Sequence, residues 1–289
     1  MVLGARGMLG HVVATFLEES GHEVVSVSRN GNFGGERVMC DLEDWRSLQK
    51  HLEYYRPEWV INAAGFLNDD VDHSLASAIY INSYLPQHLS SLGSGLGFRM
   101  ITIGSDCVFE GNRGQYEVTD RPDAISAYGR TKYLGEVNND RDLTIRTSIV
   151  GPEVETSGRG LLLWFMSQNH KTEGWTEAIW TGVTTLELSK VIESLVSGRI
   201  QETGLWQLVP AKSITKFELL QLFNQTFRKS ELTVAAIPGL GHDRSLVNDR
   251  ADRWAVPSYL KMLSELHDWL STHQHLYENT VFELIDVEE

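Results

Sequence analysis

Met1-Val2-Leu3-Gly4-Ala5-Arg6-Gly7-Met8-Leu9-Gly10 opens the chain. A short apolar run leads into glycines spaced three and three, and a helical pattern follows from Gly7 to Glu19. Strand, glycine turn and helix, in that order, are what a dinucleotide pyrophosphate needs. Glycine adopts positive φ at little steric cost. The N–H groups at a helix N-terminus point at a phosphate, and the third glycine lets the helix pack closely on the sheet. The glycines alone would equally suit a structural turn; their place between a first strand and a first helix favours the phosphate loop. Gly4, Arg6, Gly7, Met8, Leu9 and Gly10 are therefore candidate cofactor contacts. With three residues ahead of Gly4, either the first strand is short or a few of its residues lie upstream. So early a glycine turn sets the expectation of no secretory leader.

Outward from this loop, short β-branched runs alternate with longer helical patterns. Val24–Val27, Trp59–Ile61, Met100–Ile103 and Leu143–Ile145 read as strands. Gly7–Glu19, Glu43–Tyr55, His73–Leu92 and Tyr128–Asn138 read as helices, the second stopping before Pro57. This alternation predicts an α/β fold: a doubly wound parallel sheet covered on both faces. The second half differs. Gly151–Gly182 is rich in Gly, Trp and polar residues with little strand periodicity, then Thr184–Val196 reads as a helix, Leu205–Val209 as a strand, and Thr215–Phe227 and Ser258–Leu270 as amphipathic helices. The last ten or so residues look weakly anchored. The expected organisation is a dinucleotide-binding unit over residues 1–150, reclaiming about 180–204, with a smaller C-terminal cap from 151–179 and 205–289 that binds substrate.

The 289 residues include 25 Lys and Arg against 39 Asp and Glu, a formal net charge of −14. That balance argues against a nucleic-acid partner, which would call for a basic face. It still allows an anionic small ligand, because local charge can oppose the total. Hydrophobic residues at 42% and charged residues at 22% are ordinary for a globular chain, and no apolar run is long enough for a bilayer span. The only cysteines, Cys40 and Cys107, make neither a disulfide framework nor a Cys-rich zinc site. A cytoplasmic location is the expectation.

The second strand ends Ser26-Val27-Ser28-Arg29, without the carboxylate that holds a ribose diol in NAD-binding units. Arg29, helped by Arg6, would suit a 2′-phosphate, since a guanidinium fork matches phosphate geometry. NADP(H) is therefore expected over NAD, the alternative being that both arginines are solvated surface residues. Asp41-Leu42 is placed to meet the adenine. Asn62-Ala63-Ala64-Gly65 follows another strand, and the small Ala63, Ala64 and Gly65 would let a cofactor approach the backbone.

Tyr128-Gly129-Arg130-Thr131-Lys132 puts a phenol and an ammonium four residues apart, on one face of a helix. A neighbouring ammonium favours the phenolate and so lowers the phenol pKa, which would let Tyr128 move a proton at neutral pH; Lys132 could also hold the nicotinamide ribose. Taken alone, the spacing also suits an exposed helical pair. Ser105, just past a strand at Ile103-Gly104-Ser105-Asp106, lies on the carboxyl side where open α/β sheets bind ligands. Its hydroxyl could hydrogen-bond the same substrate carbonyl.

Together, the glycine loop, Asn-Ala-Ala-Gly, the strand-end Ser and Tyr-x-x-x-Lys resemble an extended short-chain dehydrogenase/reductase, with a Rossmann-like fold. Within it, the chain resembles the dTDP-4-dehydrorhamnose reductase group more closely still. Ser105-Asp106-Cys107-Val108-Phe109-Glu110-Gly111 is similar to that group's Ser/Thr-Asp-Tyr-Val-Phe-Asp-Gly. Gln115-Tyr116-Glu117, Tyr128–Lys132, Gly135-Glu136 and Arg146-Thr147-Ser148 continue the match, which is good from Gly4 to about Pro152 and looser beyond. The resemblance implies NADPH delivering hydride to the keto carbon of a nucleotide-linked 4-keto sugar. Tyr128 would protonate the oxyanion, Ser105 bond that oxygen, and Lys132 tune the Tyr and bind ribose. Asn82 falls where the family carries a structural or relay Asn. A homodimer is the expectation from the fold. Cys107 departs from the group's Tyr, and reads as a small buried hydrophobe rather than a reactive thiol. Asp106 either meets a sugar hydroxyl or caps the following turn.

In the second half, Trp can stack on a base or a sugar. Trp164 and Trp206 read as core, while Trp175 and Trp180 either wall the substrate site or close the core. Arg159 or Arg244 would pair with a substrate diphosphate. His267, His273 and His275 lack a completing ligand at metal-site spacing, so no metal is expected. Two rival readings share the fold: an epimerase or dehydratase that retains NAD, and a non-catalytic cofactor-binding regulatory subunit. Arg6 and Arg29 argue against the first, and the complete Ser105, Tyr128 and Lys132 set against the second.

Overall fold

The computed structural model describes residues 1–30, 35–155, 158–277 and 280–282. In chain order it runs β1 (Val2–Leu3), α1 (Gly10–Glu19), β2 (Val25–Ser28), β3 (Glu36–Met39), α2 (Trp45–Tyr55), β4 (Trp59–Asn62), α3 (Asn68–His73), α4 (Leu75–Ile79), a π-helical turn (Tyr80–Tyr84), α5 (Leu85–Leu96), β5 (Arg99–Ile103), a 3₁₀ turn (Asp106–Val108), α6 (Ala127–Leu134) and β6 (Leu143–Arg146). It continues with β7 (Ile149–Val150), α7 (Leu161–Met166), β8 (Lys171–Trp175), β9 (Ala178–Trp180), β10 (Val183–Thr184), α8 (Thr185–Val196) and β11 (Gly204–Gln207). The last elements are β12 (Ile214–Thr215), α9 (Lys216–Phe227), β13 (Thr233–Ile237), β14 (His242–Asp243) and α10 (Tyr259–Thr272).

Seven strands form one parallel sheet in the order β11-β6-β5-β4-β1-β2-β3. Successive residues face opposite sides. Val2, Ile61 and Ile101 join the core beneath α1, α8 and α10, whereas Leu3, Val60 and Met100 join the core beneath α2 and α5. The sheet is therefore buried on both faces, which is why its strands read as apolar runs rather than as alternating ones. The order reverses between β1 and β4, the switch point where open α/β sheets leave a crevice at their carboxyl ends.

The chain leaves the sheet after β6 and returns by β10 and α8, whose N-cap Thr184 accepts from Glu187 N. The strand expected at Leu205–Val209 is the seventh of this sheet, paired in parallel with β6. It belongs with the parallel sheet, not with the cap.

Three local expectations need correction. The helix expected over His73–Leu92 is divided by Ser74, whose φ of −147° is not helical, and by the π turn, and it runs on to Gly97 in the left-handed region. Within Gly151–Gly182, expected to hold little strand, lie β8 and β9. Lys171–Trp175 turns Thr172 and Gly174 inward, so it offers no apolar alternation to read; Gly174 is needed because a Cβ there would stand 2.7 Å from Phe217 Cα. Finally, the C-terminal stretch is packed as far as Phe282. Tyr277 and Phe282 are fully buried, and Tyr277 OH bonds His11 Nε2 at 2.8 Å. Residues 283–289 lie outside the described residues.

Candidate active site

The glycine loop joins β1 to α1 at the switch point. Gly4 has φ +73°, and a Cβ on it would stand 2.9 Å from Ala64 Cα. At Gly10 a Cβ would be 2.0 Å from Gly4 O, so α1 can sit against the loop only if this residue is glycine. The loop opens onto a groove of about 720 Å³ that Arg6, Gly7, Ser28, Arg29, Asp41, Leu42, Ala63, Ala64 and Gly65 help to line. Its size, its bare glycine floor and its place at the carboxyl ends of β1, β2 and β4 suit a dinucleotide. Leu9 is different: its side chain is buried in the core beneath α1, leaving only backbone for a ligand. Arg6 reaches across the groove, its Nε 2.6 Å from Glu155 Oε1 and its Nη1 3.3 Å from Asn30 O. The groove's charge is thus mixed, with Asp41, Glu43 and Glu155 beside the two arginines.

Ser105 lies just past β5, at the head of the 3₁₀ turn. Its Oγ accepts from Cys107 N at 3.1 Å, capping the 3₁₀ turn, and donates to Asp106 Oδ1 at 3.3 Å. Helix α6 brings Tyr128 and Lys132 to this turn. Ser126 caps the helix by accepting from Gly129 N at 3.1 Å. Gly129 then permits close approach, since a Cβ there would stand 2.2 Å from Cys107 O. Tyr128 stands close enough to the Ser105 hydroxyl for that group to draw its phenol pKa down, so the two sequence-predicted side chains are brought near each other. Lys132 Nζ donates to Ile103 O at 2.6 Å, behind them, and a Cβ on Gly65 would be 3.9 Å from it. The lysine therefore stands between the strand end that carries Ser105 and the wall of the dinucleotide groove.

Asn82 secures this arrangement. Its side chain accepts from Phe66 N at 2.9 Å and donates to Phe66 O and to Thr131 Oγ1. The π turn that carries it thus ties the loop after β4 to the helix that carries Tyr128. Helix α6 ends at Leu134, short of the expected Asn138, and Gly135 follows it at a point where a Cβ would fall 1.8 Å from Asn82 O. Arg146 pins the next residue, with Nε and Nη2 on the Glu136 carboxylate at 2.5 and 2.7 Å, both side chains buried.

The electrostatics depart from expectation in one respect. Burial raises the Tyr128 phenol well above its ordinary value, with the Cys107 thiol and Asp106 adding to the rise and the Ser105 hydrogen bond opposing it. The expected net lowering of the phenol is therefore not seen, because burial outweighs the groups that favour the phenolate. Tyr128 is a held proton donor rather than a near-phenolate. Burial lowers Lys132 itself to about 8, against the pull of Glu136. Burial also lifts the Cys107 thiol to about 12, reinforced by Asp106. Cys107 itself is only partly buried. Asp106 is buried and raised by that burial, while Lys216 and Arg244 draw it down.

Lys216 is the residue sequence reasoning missed. Burial lowers it to about 8, and its Nζ lies 5.2 Å from the Trp180 ring centre. With Leu161, Trp164, Trp175 and Leu220 it lines a cavity of about 620 Å³ on the cap side. Trp164, expected in the core, is 41% exposed in this cavity, as is Trp175. Trp206 and Trp180 are buried, the latter donating to Ser148 Oγ. Arg244 does reach the site, giving Nε to Phe109 O at 2.9 Å with Nη1 3.8 Å from Cys107 Sγ. Arg159 does not: its Nη1 pairs with Asp70 at 3.3 Å on the surface. His273 stacks on Trp269 and bonds Glu19, and among the described residues no group of His, Cys, Asp or Glu is arranged to hold a metal. Among those residues, too, no helix is long and apolar enough to cross a membrane.

Residues 1–253 match the family model described as the RmlD substrate binding domain. The chain belongs to that family. Among curated proteins it is 34% identical over 166 residues to the probable low-salt glycan biosynthesis reductase Agl14 of Haloferax volcanii, covering 54% of this chain and 55% of that one. It is 22% identical over 233 residues to the methionine adenosyltransferase 2 subunit beta of Xenopus tropicalis, covering 76% and 69%. The chain spans about half the length of the first curated relatives it matches, 46% and 55%. Among solved structures, a hypothetical dTDP-4-dehydrorhamnose reductase from Sulfolobus tokodaii superposes with a TM-score of 0.75 at 25% identity, over 89% of this chain and 95% of that one. The fold is that of the short-chain dehydrogenase/reductase enzymes, as the resemblance implied.

Proposed function

We propose that the protein is an NADPH-dependent reductase of a nucleotide-linked 4-keto-6-deoxysugar, serving surface polysaccharide or deoxysugar biosynthesis. The observation that carries this reading is the close packing of α6, which bears Tyr128 and Lys132, onto the Ser105 turn at the carboxyl end of β5, with Gly129 against Cys107 O and Lys132 Nζ on Ile103 O. The nicotinamide, when bound, supplies the hydride. Ser105 would orient the substrate carbonyl. Tyr128 would give its proton to the oxygen as negative charge develops there, an acid role worth about 10²–10⁴ in rate. Lys132, still cationic below about pH 8, would hold the ribose and stabilise the resulting phenolate. Arg6 and Arg29, at a β2 end without a carboxylate, favour the 2′-phosphate. Lys216 and Arg244 bring positive charge from the cap to the Asp106-Cys107 turn, and Trp164 and Trp175 offer stacking faces for a base. Residues 1–150 and about 180–207 would hold the cofactor, the remainder the sugar nucleotide.

The test is consumption of NADPH and NADH with a panel of nucleotide 4-keto-6-deoxysugars. Net NADPH consumption with one of them is expected. Tightly retained NAD with no net consumption would instead mark an epimerase. A cofactor-binding subunit is the second reading, because the methionine adenosyltransferase beta subunits align over more of this chain than the reductase does. Binding of coenzyme without turnover of any panel member would select it.

A further inference from the structure

We propose that Glu155, on the loop after β7, sets the coenzyme preference by competing with the 2′-phosphate for Arg6. This rests on the NADP reading above. Arg6 leaves the glycine loop beside the end of β2, where the adenosine ribose would lie, and its Nη1 bonds Asn30 O at that strand end. Its Nε side, the edge that forms a side-on pair with an oxyanion, carries the Glu155 carboxylate at 2.6 Å. The carboxylate itself lines the groove, as Arg29 does. A 2′-phosphate entering here meets a guanidinium already neutralised and a like charge next to it. It must displace Glu155 or share Arg6 with it. A ribose bearing only hydroxyls meets no such competition, because it brings no charge to repel Glu155 or to draw Arg6 away from it. Glu155 therefore weakens NADPH selectively and leaves NADH untouched. The sequence holds no sign of this, since the two residues stand 149 positions apart.

The pair is partly exposed, at 37% for Arg6 and 53% for Glu155. Solvent screens such a pair, so its removal should tighten NADPH by roughly two- to fivefold. The measurement is direct titration of the whole protein with NADPH and with NADH, read by nicotinamide fluorescence, for wild type, Glu155→Gln, Arg6→Met and the double variant. Glu155→Gln should lower the NADPH Kd, leave the NADH Kd unchanged, and lose most of its gain in the Arg6→Met background and at high salt. An unchanged or weaker NADPH Kd in Glu155→Gln would overturn the proposal, as would an equal gain with Arg6 absent. Wild-type protein that prefers NADH would sink the NADP reading itself, a separate outcome from a wild type that prefers NADPH but ignores the substitution.

Discussion

Gly129 is the narrowest point of the proposed catalytic apparatus, and Gly129→Ala tests whether its closeness matters. A Cβ there would stand 2.2 Å from Cys107 O and 2.5 Å from Ala124 Cβ. Neither neighbour is the free end of a flexible side chain. Bringing the first contact to an ordinary distance of about 3.4 Å requires the start of α6 to move by roughly 1 Å. Tyr128 sits one residue away and must move with it, away from Ser105. Misplacement on this scale can cost about 10²-fold in rate, whereas the overpacking costs the fold on the order of 1–3 kcal/mol. The variant should therefore remain folded, with a Tm lowered by several degrees. It should bind NADPH normally, because the groove lies on the far side of Lys132, and lose about a hundredfold in kcat. The assays are coenzyme titration, a thermal melt and steady-state turnover with the substrate found in the panel. Wild-type kcat in a stably folded Gly129→Ala protein would refute the claim that α6 must press on the Ser105 turn.

Further outcomes follow from the buried ionisable groups. Lys132 loses its charge at about pH 8 while Tyr128 stays protonated well beyond; kcat/KM should fall on the alkaline side with a midpoint near 8, and Lys132→Arg should move that limb upward. A limb unmoved by that substitution would assign the titration elsewhere. His11, fully buried with Nδ1 on Gly7 O and Nε2 on Tyr277 OH, is lowered by burial from 6.5 to about 4. The unfolded chain takes up that proton first, so stability is full above pH 6.5 and is lost as pH falls towards 4, by roughly 3 kcal/mol. Urea melts at both ends of that window should show a smaller loss for His11→Gln, and equal losses would reject the assignment. Lys216→Met should raise the KM for the sugar nucleotide about tenfold or more, the order expected for one lost charged hydrogen bond, without changing NADPH affinity. An unchanged KM would remove Lys216 from the substrate site.

What the sequence revealed were features that depend on neighbours in the chain. The glycine loop, the strands β2, β4, β5 and β6, and the Tyr128–Lys132 helix each follow from local spacing and β-branching. Ser105 and Tyr128 were legible as partners because each sits at the end or start of a readable element. What stayed hidden was set by contacts between distant segments. β8 carries Thr and Gly on its inner face, so only its pairing with β13 makes it a strand. The π turn exists where Asn82 reaches Phe66, which no periodicity announces. Lys216 begins an ordinary amphipathic helix, and nothing in its neighbours says that it faces Asp106 from the cap. The Tyr128 phenol rises rather than falls because burial outweighs the groups that favour its ionised form, an environment that four-residue spacing cannot specify.

Tyr128→Phe tests the central claim most directly. The substitution removes one hydroxyl from a half-buried ring and leaves the glycine groove and Lys132 intact. NADPH binding should be unchanged, while turnover of the sugar nucleotide should drop by about 10²–10⁴, the contribution of a positioned acid. Full activity in that variant would contradict the account.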